Sequence, residues 1–283
     1  MRKRLITLMG IAVLVMGTLV GCGKENTKSL AKQWNAKEAD DSKANAKEKP
    51  FELTGKVIES GDVFKIYDSG ILEIIGEYSL EEDDMTEEIV DDILEYDFDK
   101  VYVSGEKLRY FPELQGKSYE LYIDKDVKNI ASDTFKENTQ ITKLVVYSEE
   151  IEIEDDAFLG CAELREVKLQ GDTIKIGSNV FKNCTKLKNV YLSDTIENIS
   201  DGSFEGCISL ENVKMPKNLV KIGKRAFKYC CELENIEIPK AVEKLPDGAF
   251  EGCVSLSKVV MDSSLSKYEE DGYFGEEVTI KYN

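Results

Sequence analysis

A parallel-strand solenoid of the α/β type, with one strand and a short helical turn per unit, is the fold that the sequence predicts. Three observations predict it. Phe135, Phe158, Phe181, Phe204, Phe227 and Phe250 stand 23 residues apart. Cys161, Cys184, Cys207, Cys230 and Cys253 follow the last five of them at a constant offset of three. Two apolar rows, Leu121, Leu144, Val167, Val190, Val213, Ile236, Val259 and Ile123, Val146, Leu169, Leu192, Met215, Ile238, Met261, keep the same period with one residue between them. A fixed period of this length marks a chain that coils and stacks turn upon turn. Alternate apolar positions within each unit mark a short strand with one face inward.

The amino terminus bears on the compartment. Arg2, Lys3 and Arg4 precede an apolar run from Leu5 to Val20, which is short for a bilayer span and ends in Leu19-Val20-Gly21-Cys22. That tetrapeptide resembles a bacterial lipoprotein lipobox, with a small residue before the cysteine that is acylated. The resemblance implies a signal peptide over residues 1–21, a lipidated Cys22, and a chain held on the extracytoplasmic side of a bacterial cell membrane. Two acyl chains anchor stably where one does not. A plain secretory signal with an incidental cysteine, or a membrane anchor, is the other reading.

Residues 22–50 are rich in Lys, Ala, Asn and Glu without apolar periodicity and read as a tether. A coil of that length spans on the order of 30 Å. Trp34, the only Trp, lies within it. Residues 51–118 read as an N-terminal cap. Phe64 to Tyr67 and Ile71 to Gly76 form an expected hairpin about Asp68-Ser69-Gly70. Ser79 to Asp99 then carries eleven acids around Met85, Ile89, Ile93 and Tyr96, an apolar stripe on an acidic helix. The segment lacks the alternating Asp or Asn spacing and the Gly of a calcium loop.

Residues 119–283 carry the repeats. Five residues before each Phe stand Ile130, Ile153, Ile176, Ile199, Ile222 and Leu245; six after it stand Ile141, Leu164, Leu187, Leu210, Leu233 and Leu256. Small residues before the Phe (Ala157, Ser203, Ala226, Ala249) and Gly after it (Gly160, Gly206, Gly252) suit a tight helical turn that lays the ring inward. Leu164-x-x-Val167-x-Leu169 has the form of a leucine-rich repeat strand. Lys221-Ile222-Gly223-Lys224-Arg225-Ala226-Phe227-Lys228-Tyr229-Cys230-Cys231-Glu232-Leu233-Glu234-Asn235-Ile236-Glu237-Ile238-Pro239 resembles the unit of BspA-like bacterial leucine-rich repeats, I-x-x-x-A-F-x-x-C-x-x-L-x-x-I-x-I-P. The resemblance covers about residues 119 to 282. It departs at Asn138, in the first Cys position, and at Tyr273 and Glu276, which stand for Phe and Cys in a degenerate last unit. Atypical end units are expected of caps.

Composition narrows the chemistry. Removal of residues 1–21 takes three basic residues away and leaves 34 basic against 55 acidic, a charge of −21. Nucleic acid needs a basic patch and is a poor partner. The chain has no His, so no Ser-His or Cys-His nucleophile pair can be built. Stacked units would place the five thiols in a parallel ladder, whereas zinc needs ligands converging tetrahedrally. They read as small core residues, with inter-rung disulfides the other option. No cofactor or metal site is expected.

Two function classes remain. One is a non-catalytic, monomeric surface scaffold for a protein or glycan partner, in adhesion, in other cell-surface contacts or as a structural envelope component. The other is a carboxylate-based hydrolase of carbohydrate, which needs two acids about 5 to 10 Å apart across a cleft. A binding face would use the residue between the two inward rows, Tyr122, Val145, Lys168, Tyr191, Lys214, Glu237 and Val260, with Asp124, Tyr147, Gln170, Ser193, Pro216, Pro239 and Asp262 beside it. Tyrosines amid mixed charge suit recognition, because Tyr buries a large area at low entropy cost. Tyr122, Tyr147, Lys168, Tyr191, Lys214 and Glu237 are the expected contact residues.

Overall fold

In the computed structural model, residues 51–283 are described apart from 62, 76–78, 81–85, 115, 271, 272 and 276. Cys22, the segments expected to be a signal peptide and a tether, Met85 and Glu276 lie outside the described residues.

The front of the solenoid is a nine-stranded sheet. It opens with Val57–Ser60, then the antiparallel hairpin Phe64–Tyr67 and Ile71–Ile75, with Gly70 in the turn at φ 78°. Every later pairing is parallel: Lys100–Ser104, Tyr119–Ile123, Ile141–Val146, Glu166–Leu169, Asn189–Leu192 and Asn212–Lys214. A parallel three-stranded sheet of Asn235–Glu237, Lys258–Met261 and Thr279–Tyr282 completes the stack. The 23-residue period is the register itself, since Val167 pairs with Val190 and Leu169 with Leu192. The first rungs are out of period. Ile71 faces Lys100 and Lys100 faces Glu120, so coiling begins upstream of the regular units, and the sheet runs unbroken through residue 118.

The long first crossover holds the helix Glu87–Leu94, shorter than the acidic run, with Thr86 as N-cap accepting from the Ile89 N–H at 3.4 Å. Ile93 is fully buried, and Ile89, Leu94 and Tyr96 pack against the core. At the back, short strands Ser79–Leu80, Lys107–Leu108, Asn129–Ile130, Glu150–Ile153 and Thr173–Ile176 form a second parallel sheet. Asn198–Ile199 pairs with Lys221–Ile222 beyond it. The Ile row on this side and both front rows point into one continuous core.

The third side of each coil is the Phe turn, and it is not helical. The residues two before and two after each Phe hold positive φ: Asp156 and Gly160, Asn179 and Asn183, Gly202 and Gly206, Arg225 and Tyr229, each between 55° and 76°. A left-handed residue ends right-handed helical propagation. It turns the peptide groups along the stack instead. The Phe158, Phe181, Phe204 and Phe227 N–H groups donate to the carbonyls of Val180, Ser203, Ala226 and Ala249 on the next rung, at 2.8 to 3.0 Å. The expected helical turns are therefore inter-rung ladders.

The glycines of these turns answer to their neighbours. A Cβ on Gly206 would lie 2.4 Å from Asn183 Oδ1, and one on Gly252 only 2.3 Å from Tyr229 Cδ1. Gly160 similarly meets Glu137 Cγ at 3.2 Å. A large residue on one rung thus lies over a glycine on the next.

The six Phe rings stack with centroids 4.8 to 5.6 Å apart and planes within 20°. Phe111 extends the column at one end, 4.9 Å from Phe135, and Phe274 at the other, 5.8 Å from Phe250. Tyr273 does not take the Phe position. Its hydroxyl accepts the Ala249 N–H at 3.2 Å and donates to the Pro246 carbonyl, tying the last regular Phe turn to the segment that follows it.

Each ladder thiol is free and donates to the carbonyl of the Phe one rung earlier: Cys161 to Phe135, Cys184 to Phe158, Cys207 to Phe181, Cys230 to Phe204 and Cys253 to Phe227, at 3.1 to 3.3 Å. Burial pushes the Cys184, Cys207 and Cys230 thiols well up. Asn138, in the first position, instead donates to the Tyr119 hydroxyl at 3.2 Å and accepts the Gln140 and Ile141 N–H groups.

Phe204→Ala, mid-column, is expected to cost about 3 to 5 kcal/mol in a denaturant titration. Phe274→Ala, with a neighbour on one side only, should cost clearly less. A near-neutral Phe204→Ala would contradict the stacked column.

The thiols predict a pH dependence. Burial holds the folded pKa values of Cys184, Cys207 and Cys230 above the unfolded value near 8.5, so their contribution is complete below about pH 8.5 and falls as the unfolded chain alone ionises. Stability between about pH 8.5 and 10 should decline less steeply in Cys207→Ala, by about 1.4 kcal/mol per pH unit. Equal slopes would mean that the thiol ionises in the folded state.

Candidate recognition surface

The column of residues between the buried rows is divided by the structure into two unlike halves. Tyr122 is 6% exposed and Val145 is fully buried, contrary to the outward, accessible positions expected of them. Together with Tyr67, Ile71 and Tyr102 they form a second apolar cluster on the outer side of the sheet. Phe51, at the start of the described chain, covers it. Its ring lies 4.3 Å from that of Tyr122 and 5.3 Å from that of Tyr102, and Tyr147 flanks Tyr122 at 6.5 Å. Period alone could not reveal this cover, because Phe51 belongs to no repeat.

The sheltered tyrosines keep their hydroxyls paired with acids. Tyr67 donates to Glu73 Oε2 at 2.8 Å, Tyr102 to Asp124 and Tyr122 to Glu120. Lys65 Nζ, 3.2 Å from the same Glu73 oxygen, balances that nearly buried carboxylate. Burial, and then the Glu73 hydrogen bond, push the Tyr67 hydroxyl up to about 12. Tyr102 is raised for the same two reasons, with Asp124 as its partner.

The second half is open. Lys168, Tyr191 and Lys214 are half-buried and Glu237 is exposed. Glu166 holds Lys168 at 3.1 Å and Lys143 at 3.7 Å, and Lys168 Nζ stands 5.6 Å from the centre of the Tyr191 ring. The register brings Lys168 opposite Tyr191 and Tyr191 opposite Lys214. Of the expected contact residues, the structure brings Lys168, Tyr191, Lys214 and Glu237 onto one accessible face, and sets Tyr122 and Tyr147 in the sheltered half.

A polar row on the open face shares the period but carries no apolar spacing. Asn189, Asn212 and Asn235 repeat at 23 residues on its edge, and Asn212 Nδ2 donates to Asn189 Oδ1 at 3.2 Å. The constant Asn spacing was the available signal.

The repeat model described as the BspA type leucine rich repeat region matches in six copies, over residues 113–230 and 174–280. This chain belongs to the BspA-type leucine-rich repeat family. A leucine-rich repeat protein from Bacteroides ovatus shares the fold at a TM-score of 0.51 and 22% identity, over 66% of this chain and 54% of that one. The chain therefore spans about half the length of that protein. The leucine-rich repeat protein of T. pallidum aligns at 19% identity and a TM-score of 0.37, over 70% of this chain and 67% of that one. No curated protein sequence matches the chain. What the BspA-type repeat supplies is a scaffold: parallel strands carried on a column of rings, with an outward row of side chains on the open half.

Removing the cover on the sheltered half should be a local event. Phe51→Ala is expected to cost about 1 to 2 kcal/mol, less than a full core truncation, because the ring is only partly buried. Hydrogen exchange should rise over residues 64–75 and stay unchanged over residues 181–250. Uniform acceleration across the chain, or no change at 64–75, would refute the local role.

Proposed function

We propose that this protein is a non-catalytic recognition scaffold, held outside a bacterial cell membrane by acyl chains on Cys22, and that it binds through the open half of its strand face. The observation that carries the reading is the row Lys168, Tyr191 and Lys214 on successive paired strands, half-buried, with the exposed Glu237 one unit further on in the next sheet. An aromatic ring flanked by long polar side chains is the kind of group that contributes strongly when a partner covers it. The BspA-type fold supports the reading, because stacked repeats make an extended face without requiring a pocket. The absence of His removes the commonest general base, which favours binding over catalysis. The lipobox at Leu19 to Cys22 supports display at the membrane surface.

Metabolic labelling with a clickable fatty acid tests the anchor. Wild type should be labelled and Cys22→Ser should not; equal labelling of both ends the lipoprotein reading. The face is tested with arrays of matrix proteins, bacterial surface proteins and glycans. Combined Ala replacement of Lys168, Tyr191, Lys214 and Glu237 should weaken a captured ligand at least tenfold with the melting curve in place. Unchanged affinity would remove the site from this face.

A further inference from the structure

We infer that the open half of the sheet face is built for an uncharged, polyhydroxylated ligand: a neutral glycan chain lying across the strands. The inference rests on the recognition reading above and names the class of partner.

Charge is the first argument. The sequence carries a net charge of −18, yet lysines and acids on this face are in near balance. Lys143 and Lys168 share Glu166 at 3.7 and 3.1 Å, Lys214 is followed one unit later in the same column by Glu237, and Lys258 opens the strand that Asp262 follows. A face that stays near neutral on a strongly acidic chain offers little long-range attraction to a cationic ligand and no basic field for an anionic one.

Hydrogen-bonding capacity is the second. Each Asn amide has two N–H donors and an acceptor oxygen with two lone pairs. The Asn212 to Asn189 bond uses one donor and one acceptor, while Asn212 and Asn235 stand exposed. The remaining capacity is of both kinds, as is that of a sugar hydroxyl. Tyr191, beside these amides, presents a half-buried ring with Lys168 Nζ 5.6 Å from its centre on one side, leaving the other side as a platform for the apolar face of a pyranose.

Apolar content is the third. Of the large hydrophobic residues exposed among those described, Ile208, Val220 and Val254 lie off the strands, while Val57, Ile58 and Tyr282 lie on the first and last strands of the stack, away from Tyr191. A protein partner would want an apolar centre ringed by polar groups. Around Tyr191 this face has a single ring among polar groups, with the half-buried Pro239 and Val260 toward one end. Its strands repeat at about 4.8 Å, close to the length of one sugar unit, so a chain running across them meets an equivalent amide on three rungs, at Asn189, Asn212 and Asn235.

The test uses the full-length protein in native gels cast with dextran, laminarin, mannan or soluble chitin oligosaccharides, and with hyaluronan as the anionic comparison. At least one neutral glycan should retard migration, with an affinity that changes less than twofold between 50 and 500 mM salt. Tyr191→Ala and Asn212→Ala should each weaken retardation at least fivefold, and Tyr191→Phe should retain it. Melting curves of all three should match wild type; if Asn212→Ala melts early, the Tyr191 pair decides. Retardation by hyaluronan alone, a steep salt dependence, or unchanged binding by Tyr191→Ala overturns the inference. If no neutral glycan binds but a protein ligand is captured and lost in the four-residue Ala variant, the glycan class falls and the scaffold reading stands. If neither kind of ligand binds, both fall.

Discussion

Each Phe carbonyl in the middle of the stack receives two donors, and the register of the molecule depends on both. Phe158 O accepts the Cys161 N–H from its own turn and the Cys184 thiol from the next rung. The same arrangement recurs at Phe181 and Phe204. A rung displaced by one residue would lose the thiol bond and the Phe N–H ladder and would break the ring column. It would also turn the inward rows of the front sheet outward. Losing the Phe N–H ladder would leave buried donors unpaired at a cost, so these bonds add to apolar burial in holding the 23-residue period. The choice of Cys follows. The position is too buried for a charged group, and alanine would leave the carbonyl with one donor fewer.

The rows that face the core were legible in the sequence because burial imposes a residue type at each turn of the coil. The strand rows, the Phe column and the hairpin at Asp68 to Gly70 are all visible as spacing or as turn chemistry. What spacing could not show falls into two kinds. Backbone handedness is one: Asp156, Asn179 and Arg225 hold positive φ where small residues and glycines suggested a helical turn, and only the stacked neighbour explains it. Departures from period are the other. Phe111 and Phe274 sit 24 residues from Phe135 and Phe250, so a strict search for 23 passes over both ring-column ends and places Tyr273 where Phe274 belongs.

The outer face shows the same division. Inward rows predict which residues point out, and along the strands Lys168 and Tyr191 alternate with the buried Val167, Leu169, Val190 and Leu192. Direction is not exposure. Phe51 comes from outside the repeats and shelters Tyr102, Tyr122 and Val145, so the rung number of a residue decides whether it meets solvent. The asparagine row was equally periodic, but its spacing carried no burial signal. It gained meaning only when the neighbouring strands placed Asn189 beside Asn212.

The overlay of Glu137, Asn183 and Tyr229 on Gly160, Gly206 and Gly252 gives the stack a grain of two rungs. Duplicating or excising one 23-residue unit from the middle would set bulky against bulky, or glycine against glycine, along that column. Copying 46 residues restores the alternation. A lineage that lengthens or shortens such a chain by unequal crossing-over therefore meets less resistance in even steps than in odd ones. The same arithmetic sets the natural module for anyone building longer or shorter versions of the scaffold.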